Sequence, residues 1–336
     1  MKRRIIYSLE ILASLFVVGG LLWVAFYLKP QTNVASVEPS LFGYRNNFYG
    51  VVIPDDNRRV VWAVGSGGRI IRSEDAGDTW SIQKAPTRKH LQDIAALDST
   101  TALVVGDEGT VLVTGDAGQT WTGVEVPIRE FGDQLLQAYV EAGSNRWWIT
   151  GTFGTVLRSL DSGQTWEMVH PEVDVAWNDL TVAPDGTVWV VGEFGRLRRS
   201  GDGGETWEDV NIDTEISLMS IAFADENNAV VVGLSGSIAR SSDGGLSWDM
   251  VSTGHEDHLY DVGWTGEDYV VVGNAGMVGR GAYNGSDWEF FQLAKNNFGW
   301  YTKFAALDPE TLYISGADLG VLKKRNWHLF QRQDQP

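Results

Sequence analysis

Five aspartates in this 336-residue chain share one setting. Asp75, Asp116, Asp161, Asp202 and Asp243 each follow a Ser or Thr by two positions and precede a glycine by two. Each also stands five residues before a tryptophan: Trp80, Trp121, Trp166, Trp207 and Trp248. Recurring carboxylates could serve acid–base hydrolysis, which needs two of them at a set separation across a sugar bond. They also have a simpler use. An Asp side chain accepts backbone N–H bonds from residues just ahead and folds the loop on itself. The glycine then supplies positive φ, the Ser or Thr ties the far side, and the Trp lays its apolar face between sheets. Asp55-Asp56 is an adjacent pair whose separation the sequence does not set. His90, His170 and His328 are scattered; only His255-Glu256-Asp257-His258 has the look of metal ligands, and a solvated loop is its simpler reading. There is no cysteine, hence no thiol chemistry and no disulfide. Neither H-E-x-x-H nor a P-loop occurs, and the glycine pairs precede no helix, so no dinucleotide site is expected. No catalytic set, metal or cofactor is predicted.

The elements that position these residues follow from the spacing. The tryptophans step by 41, 45, 41 and 41 residues, and Trp288 and Trp327 extend the series by 40 and 39. Around Trp288 the motif has lost its aspartate, and around Trp327 only the tryptophan remains. Each copy carries an apolar run ending in G-x-x-G, from Gly65–Gly68 to Gly273–Gly276, with a seventh, Gly316–Gly320, one residue longer. Within residues 177–212, strands are expected at 177–182, 187–191, 196–200 and 207–212, with a hairpin turn at 192–195. Four short antiparallel strands repeated at this period predict an all-β, seven-bladed propeller over 42–336.

The S-x-D-x-G-x-T-W motif resembles the bacterial neuraminidase repeat, or Asp-box. Its combination with V-G-x-x-G, as in VVGEFGRLRRSGDGGETW, resembles the photosystem II stability and assembly factor family over roughly residues 48–330. That resemblance implies a non-catalytic propeller that scaffolds a membrane complex. The expected partner is an integral membrane protein complex, photosystem-like or an envelope exporter such as a resistance-nodulation-division transporter. The alternative is a glycan-binding or glycoside-hydrolase propeller. The sialidase resemblance requires F/Y-R-I-P near the start, whereas Tyr44-Arg45 is followed by Asn46-Asn47. Sialidases have six blades, and seven-bladed xyloglucanases typically pair two such domains.

Two residue sets are candidates for partner binding. The position before each box holds Arg72, Val113, Arg158, Arg199, Arg240, Arg280 and, by alignment, Lys324; blade 4 adds Arg196 and Arg198, and blade 1 adds Arg69. Equivalent positions in a propeller form a ring. Such a circlet either pairs with local acids or docks acidic loops of a partner. Phe153 and Phe194 occupy the same place in two G-x-x-G turns, where they either form an exposed patch or pack on a neighbouring loop.

The first residues address the propeller to a membrane. Lys2-Arg3-Arg4 precedes a span from Ile11 to Leu28 without a charged residue. As a helix it measures about 27 Å, close to the bilayer core. Trp23 and Tyr27 lie near one end as interfacial anchors do, and the basic tip should stay cytoplasmic. An uncleaved signal anchor over 1–29 and a linker over 30–41 are expected, a cleaved signal peptide being the competing reading. The expected location is the bacterial inner membrane, with the propeller in the periplasm. The net charge is −18, and the anchor segment is positive, leaving about −21 on the remainder. That balance disfavours nucleic acid and anionic lipid surfaces as partners.

Overall fold

The computed structural model describes residues 42, 46–129, 132–170 and 173–330. The basic tip, the apolar span and the linker lie outside the described residues, among which no helix is long and apolar enough to cross a membrane. Seven four-stranded antiparallel sheets follow one another, each built from four consecutive strands in sequence order. Blade 4 shows the unit: Trp177–Val182, Val188–Gly192, Leu197–Ser200 and Glu208–Val210. The expected boundaries hold within two residues. The fourth strand starts after Trp207, because the indole N–H of Trp207 donates to the Gly204 and Val169 carbonyls and keeps that residue in the turn.

Burial explains the composition of each strand. The second strands, such as Val188–Gly192 (VWVVG) and Ala229–Gly233 (AVVVG), are buried throughout, being covered on both faces by neighbouring blades. A strand covered on both faces reads as a continuous apolar run. The fourth strands are mostly exposed and polar. Among the described residues, seven apolar clusters fill the seven junctions between blades. Between blades 4 and 5, for example, Trp189, Val191 and Leu197 meet Leu218, Ile221 and Val231.

Every first strand carries a register shift near its start, as between Leu91 and Asp93 or Trp177 and Asp179. Such a bulge leaves one residue out of the ladder and re-aims the next. The second residue of the strand is the one passed over, and in four blades the third reaches the following blade. That third position is Gly50, Asp93, Gln137, Asp179, Ser220, Asp261 and Lys303 around the ring.

Candidate partner interface

Up-and-down strands alternate the ends of each blade. The Asp-box turns and the hairpins between first and second strands therefore share one face. The G-x-x-G turns and the connections from blade to blade share the other. On the box face, each aspartate is consumed by its own turn. Asp202 Oδ1 accepts the Thr206 N–H at 2.9 Å and the Ser200 hydroxyl at 2.7 Å, while Oδ2 accepts the Thr206 hydroxyl at 2.6 Å. Ser200 Oγ in turn accepts the Gly204 N–H at 2.7 Å. The same cage surrounds Asp75, Asp116, Asp161 and Asp243. Donation by Thr165 and Thr206, through both hydroxyl and backbone, holds Asp161 and Asp202 down to about 2. They stay ionised across the physiological range. The indoles of Trp80, Trp166, Trp207, Trp248 and Trp288 each donate to the glycine carbonyl of their own turn, whereas Trp121 donates to Gln83 of blade 1.

The cations lie on the third strands next to these turns, and each is engaged. Arg72 pairs with Glu74 and stacks over Trp62 at 5.0 Å. Arg158 bridges Glu167 and Glu205 at 2.7 Å each and donates to the Gly203 carbonyl. Arg199 pairs with Glu208 at 3.1 Å, Arg240 with Asp249 at 3.9 Å, and Arg280 with Asp268 at 2.6 Å. These partners are acids of neighbouring strands and loops rather than the box aspartates. The register corrects one member of the ring. Arg72 stands opposite Trp62, three residues before Gly65; the matching residue opposite Tyr313, three before Gly316, is Val321. Lys324 lies past the third strand, in the turn, paired with Glu310 at 3.8 Å. The hairpin is two residues shorter here, eight from Tyr313 to Val321 against ten from Trp62 to Arg72, and Gly320 pairs with Ile314 inside the ladder rather than closing the turn. The ring thus holds five arginines. Arg199 and Arg240 have the more exposed side chains, 32% and 31% against 9% and 10% for Arg72 and Arg158. Arg199 also borders an open cleft of about 290 Å³ with Asp202 and Glu208, and Arg280 one of about 410 Å³ with Trp288 and Glu289. Arg198 pairs with Asp209 at 2.5 Å and reaches buried His170 at 2.9 Å.

Phe153, Phe194 and Arg196 belong to the opposite face, so the two candidate sets do not form one patch. Both phenylalanines are exposed, 42% and 63%, and both hold left-handed backbone, φ 57° and 58°. Such a conformation costs an L-residue about 1–2 kcal/mol. Other blades place Gly67, Glu108, Ser235 and Ala275 there. Arg196 is exposed and makes no ion pair among the described residues. Of the histidine cluster, His258 Nδ1 accepts the Ser235 N–H at 3.0 Å and His255 packs on Phe290 at 4.5 Å, so the two rings are committed separately.

The channel is where sequence reading missed a constellation. Asp93 Oδ2 accepts the Ala138 N–H at 3.1 Å, Gln137 the Leu180 N–H at 2.5 Å, Asp179 the Ile221 N–H at 2.9 Å and Asp261 the Phe304 N–H at 3.0 Å. Each donor sits in the next blade. Ser220 is too short to follow, and instead donates toward Asp179 at 2.7 Å and Asp261 at 3.2 Å. Lys303 Nζ meets Asp261 at 3.2 Å and Asp179 at 3.9 Å. Burial pushes Asp93 up to about 6, against the pull of Lys303, and raises Asp179 too. Burial opposes the Lys303 charge, but Asp261, Asp179 and Asp93 outweigh it and lift its pKa above the ordinary lysine value. The signal was available in the alignment of the third residue of each first strand.

A family model for the photosynthesis system II assembly factor YCF48 matches residues 78–175 and 205–322. No curated protein matches. Among solved structures, YCF48 from Cyanidioschyzon merolae is 14% identical with a TM-score of 0.69, covering 86% of this chain and 98% of that one. A structure described as YCF48 bound to D1 peptide is 20% identical with a TM-score of 0.66, covering 83% and 91%. The GH74 xyloglucanase from Xanthomonas campestris is 12% identical with a TM-score of 0.67, covering 87% of this chain but 55% of that one. At these identities the solved structures speak for the fold alone. The family match covers well over half of the sequence, and the chain belongs to the family of the photosynthesis system II assembly factor YCF48.

Proposed function

We propose that this chain is a non-catalytic scaffold that docks a subunit of an integral membrane protein complex, with its propeller on the exported side of a bacterial inner membrane. Family membership supports protein binding, as does the relative solved with a D1 peptide. The carrying observation is that the recurring carboxylates are spent on architecture. Box aspartates close their own turns, and three channel aspartates tie one blade to the next. The apolar span Ile11–Leu28 behind Lys2-Arg3-Arg4 supports the anchor and the orientation. The client is a photosystem-like complex or an envelope exporter.

The test is extraction of tagged full-length protein from its native membrane in mild detergent, with mass spectrometry of what co-purifies. A stoichiometric integral membrane partner is the expected result. A partnerless protein would instead direct attention to glycans, the other use of this fold. Arg199→Glu with Arg240→Glu then asks which face docks. These two lie on the more accessible part of the ring, and the losses are exposed ion pairs and one exposed Arg240 hydrogen bond to the Asn284 carbonyl, so the fold should hold. Abolished capture with an unchanged circular dichroism spectrum places docking on the box face; full capture removes the arginines from the interface.

A further inference from the structure

Phe153 and Phe194 are the same residue in the same turn of adjacent blades, yet their surroundings differ. Over Phe153 lies the guanidinium of Arg129, 3.4 Å from the ring centroid. Arg129 comes from the connection between blades 2 and 3 and is held there by Asp133, at 2.8 Å from its Nε. Asp133 is itself buried and its carbonyl accepts the Gly109 N–H at 2.7 Å. In the next connection the carbonyl doing that job, for Gly154, belongs to Val175. Valine cannot pin a guanidinium, and the sequence four residues earlier reads Pro171, where the previous connection has Arg129. Among the described residues no cation lies over Phe194, although it is the more exposed of the two rings.

The ground around Phe194 is acidic. The connection into blade 4 touches its turn, since the Ala176 N–H donates to Glu193 Oε2 at 2.9 Å and the Glu193 N–H to the Ala176 carbonyl at 3.1 Å. The connection out of blade 4 touches it too. A Cβ on Gly195 would stand 1.9 Å from the Thr214 carbonyl and 3.3 Å from the Glu215 Cα. These two connections bring Asp174, Asp213 and Glu215, all exposed and without an ion pair among the described residues. Arg196 is the opposing charge on this turn, exposed and stacked on neither ring.

We infer that Phe194 is a receptor for a cationic side chain of the docked protein, an arginine or lysine on an exposed segment, which takes over the ring the way Arg129 covers Phe153. An aromatic face attracts a guanidinium or ammonium within about 6 Å. The flanking carboxylates give that cation a counter-charge, and the acidity of the whole chain draws a basic segment toward it. Left-handed φ belongs to this turn in blades 1 to 6 alike; blades 3 and 4 alone place a ring there, and on blade 3 the chain itself uses it. The inference rests on the protein-docking reading and names the partner's chemistry at one point of it.

The test uses full-length protein in detergent with 4-fluorophenylalanine at position 194 or at position 153, read by fluorine NMR. The probes are acetyl-(Gly-Arg)4-amide and its citrulline counterpart, which has the same shape without the charge. The label at 194 should shift saturably with the arginine peptide and at least severalfold more weakly with the citrulline peptide. Asp213→Asn with Glu215→Gln should weaken the response. The label at 153 should stay silent until Arg129→Ala uncovers its ring. Equal responses to both peptides, or none at 194, overturn the inference. Because the assay needs no native partner, failure here with a complex still co-purifying discards this site alone. A partnerless protein discards the scaffold reading.

Discussion

At Gly245 two demands meet. Its φ is +84°, and a Cβ there would lie 2.5 Å from the Trp189 ring of the preceding blade. The sequence motif announces the first demand as a turn glycine; only packed blades reveal the second. Gly67 has the first without the second, with φ +68° and no atom within 4 Å of where a Cβ would stand. Left-handed backbone costs a residue with a side chain about 1–2 kcal/mol, and overpacking adds about 1–3 kcal/mol. Gly245→Ala should therefore destabilise the propeller by about 2–5 kcal/mol and Gly67→Ala by about 1–2 kcal/mol, measured by urea denaturation. Equal losses would mean that Trp189 gives way and that the glycine is kept for its backbone alone.

The inner strand is the element that carries the channel, and its chemistry makes stability depend on pH. Asp93 binds its proton more tightly in the folded protein, at about 6, than an unfolded aspartate does near its ordinary value of about 3.9. Between those values the folded state holds the extra proton, so rising pH weakens folding through Asp93, and below them the effect vanishes. Two units correspond to about 3 kcal/mol. Asp93→Asn keeps an oxygen for the Ala138 N–H and removes the charge. Thermal melts should show the variant more stable than the parent at pH 8, with the difference shrinking toward zero near pH 4. Lys303, whose charge offsets part of the burial penalty of Asp93, faces the same centre from blade 7, together with Asp179 and Asp261. A variant less stable at pH 8 would mean that the attraction to Lys303 outweighs desolvation.

Among the described residues the ring closes without a shared strand. Blade 1 is built wholly from residues 48–83 and blade 7 wholly from 301–329, so side chains hold the seam. Arg58 donates to the Ala306 and Leu307 carbonyls, Thr302 to the Tyr49 carbonyl at 3.0 Å and Tyr313 to the Ala76 carbonyl at 2.5 Å. Tyr49 stacks on Trp300 at 5.8 Å, and Phe330 gathers Phe42, Trp80 and Tyr313 within 5.2–6.3 Å. Phe330→Ala should cost about 2–3 kcal/mol, at the low end for a phenylalanine because this one is only half-buried. Hydrogen exchange should then speed up in blades 1 and 7 before the central blades; uniform acceleration would show that the seam does not open separately. The sequence by itself determined the number of blades, the strand order and the box turns, because each of these is local and repeats. The period of about 41 residues, the alternating strands and the aspartate cage all act within one unit. Only the tertiary structure decided which residues meet between units. It separated the five ring arginines from Phe153, Phe194 and Arg196 by placing them at opposite ends of a blade. It put Val321 where alignment expected Lys324, because strand register rather than residue count fixes position. It also brought Asp93, Asp179, Asp261 and Lys303, spread over 210 residues, to one axis, since closure of a ring makes neighbours of equivalent positions that no local pattern pairs.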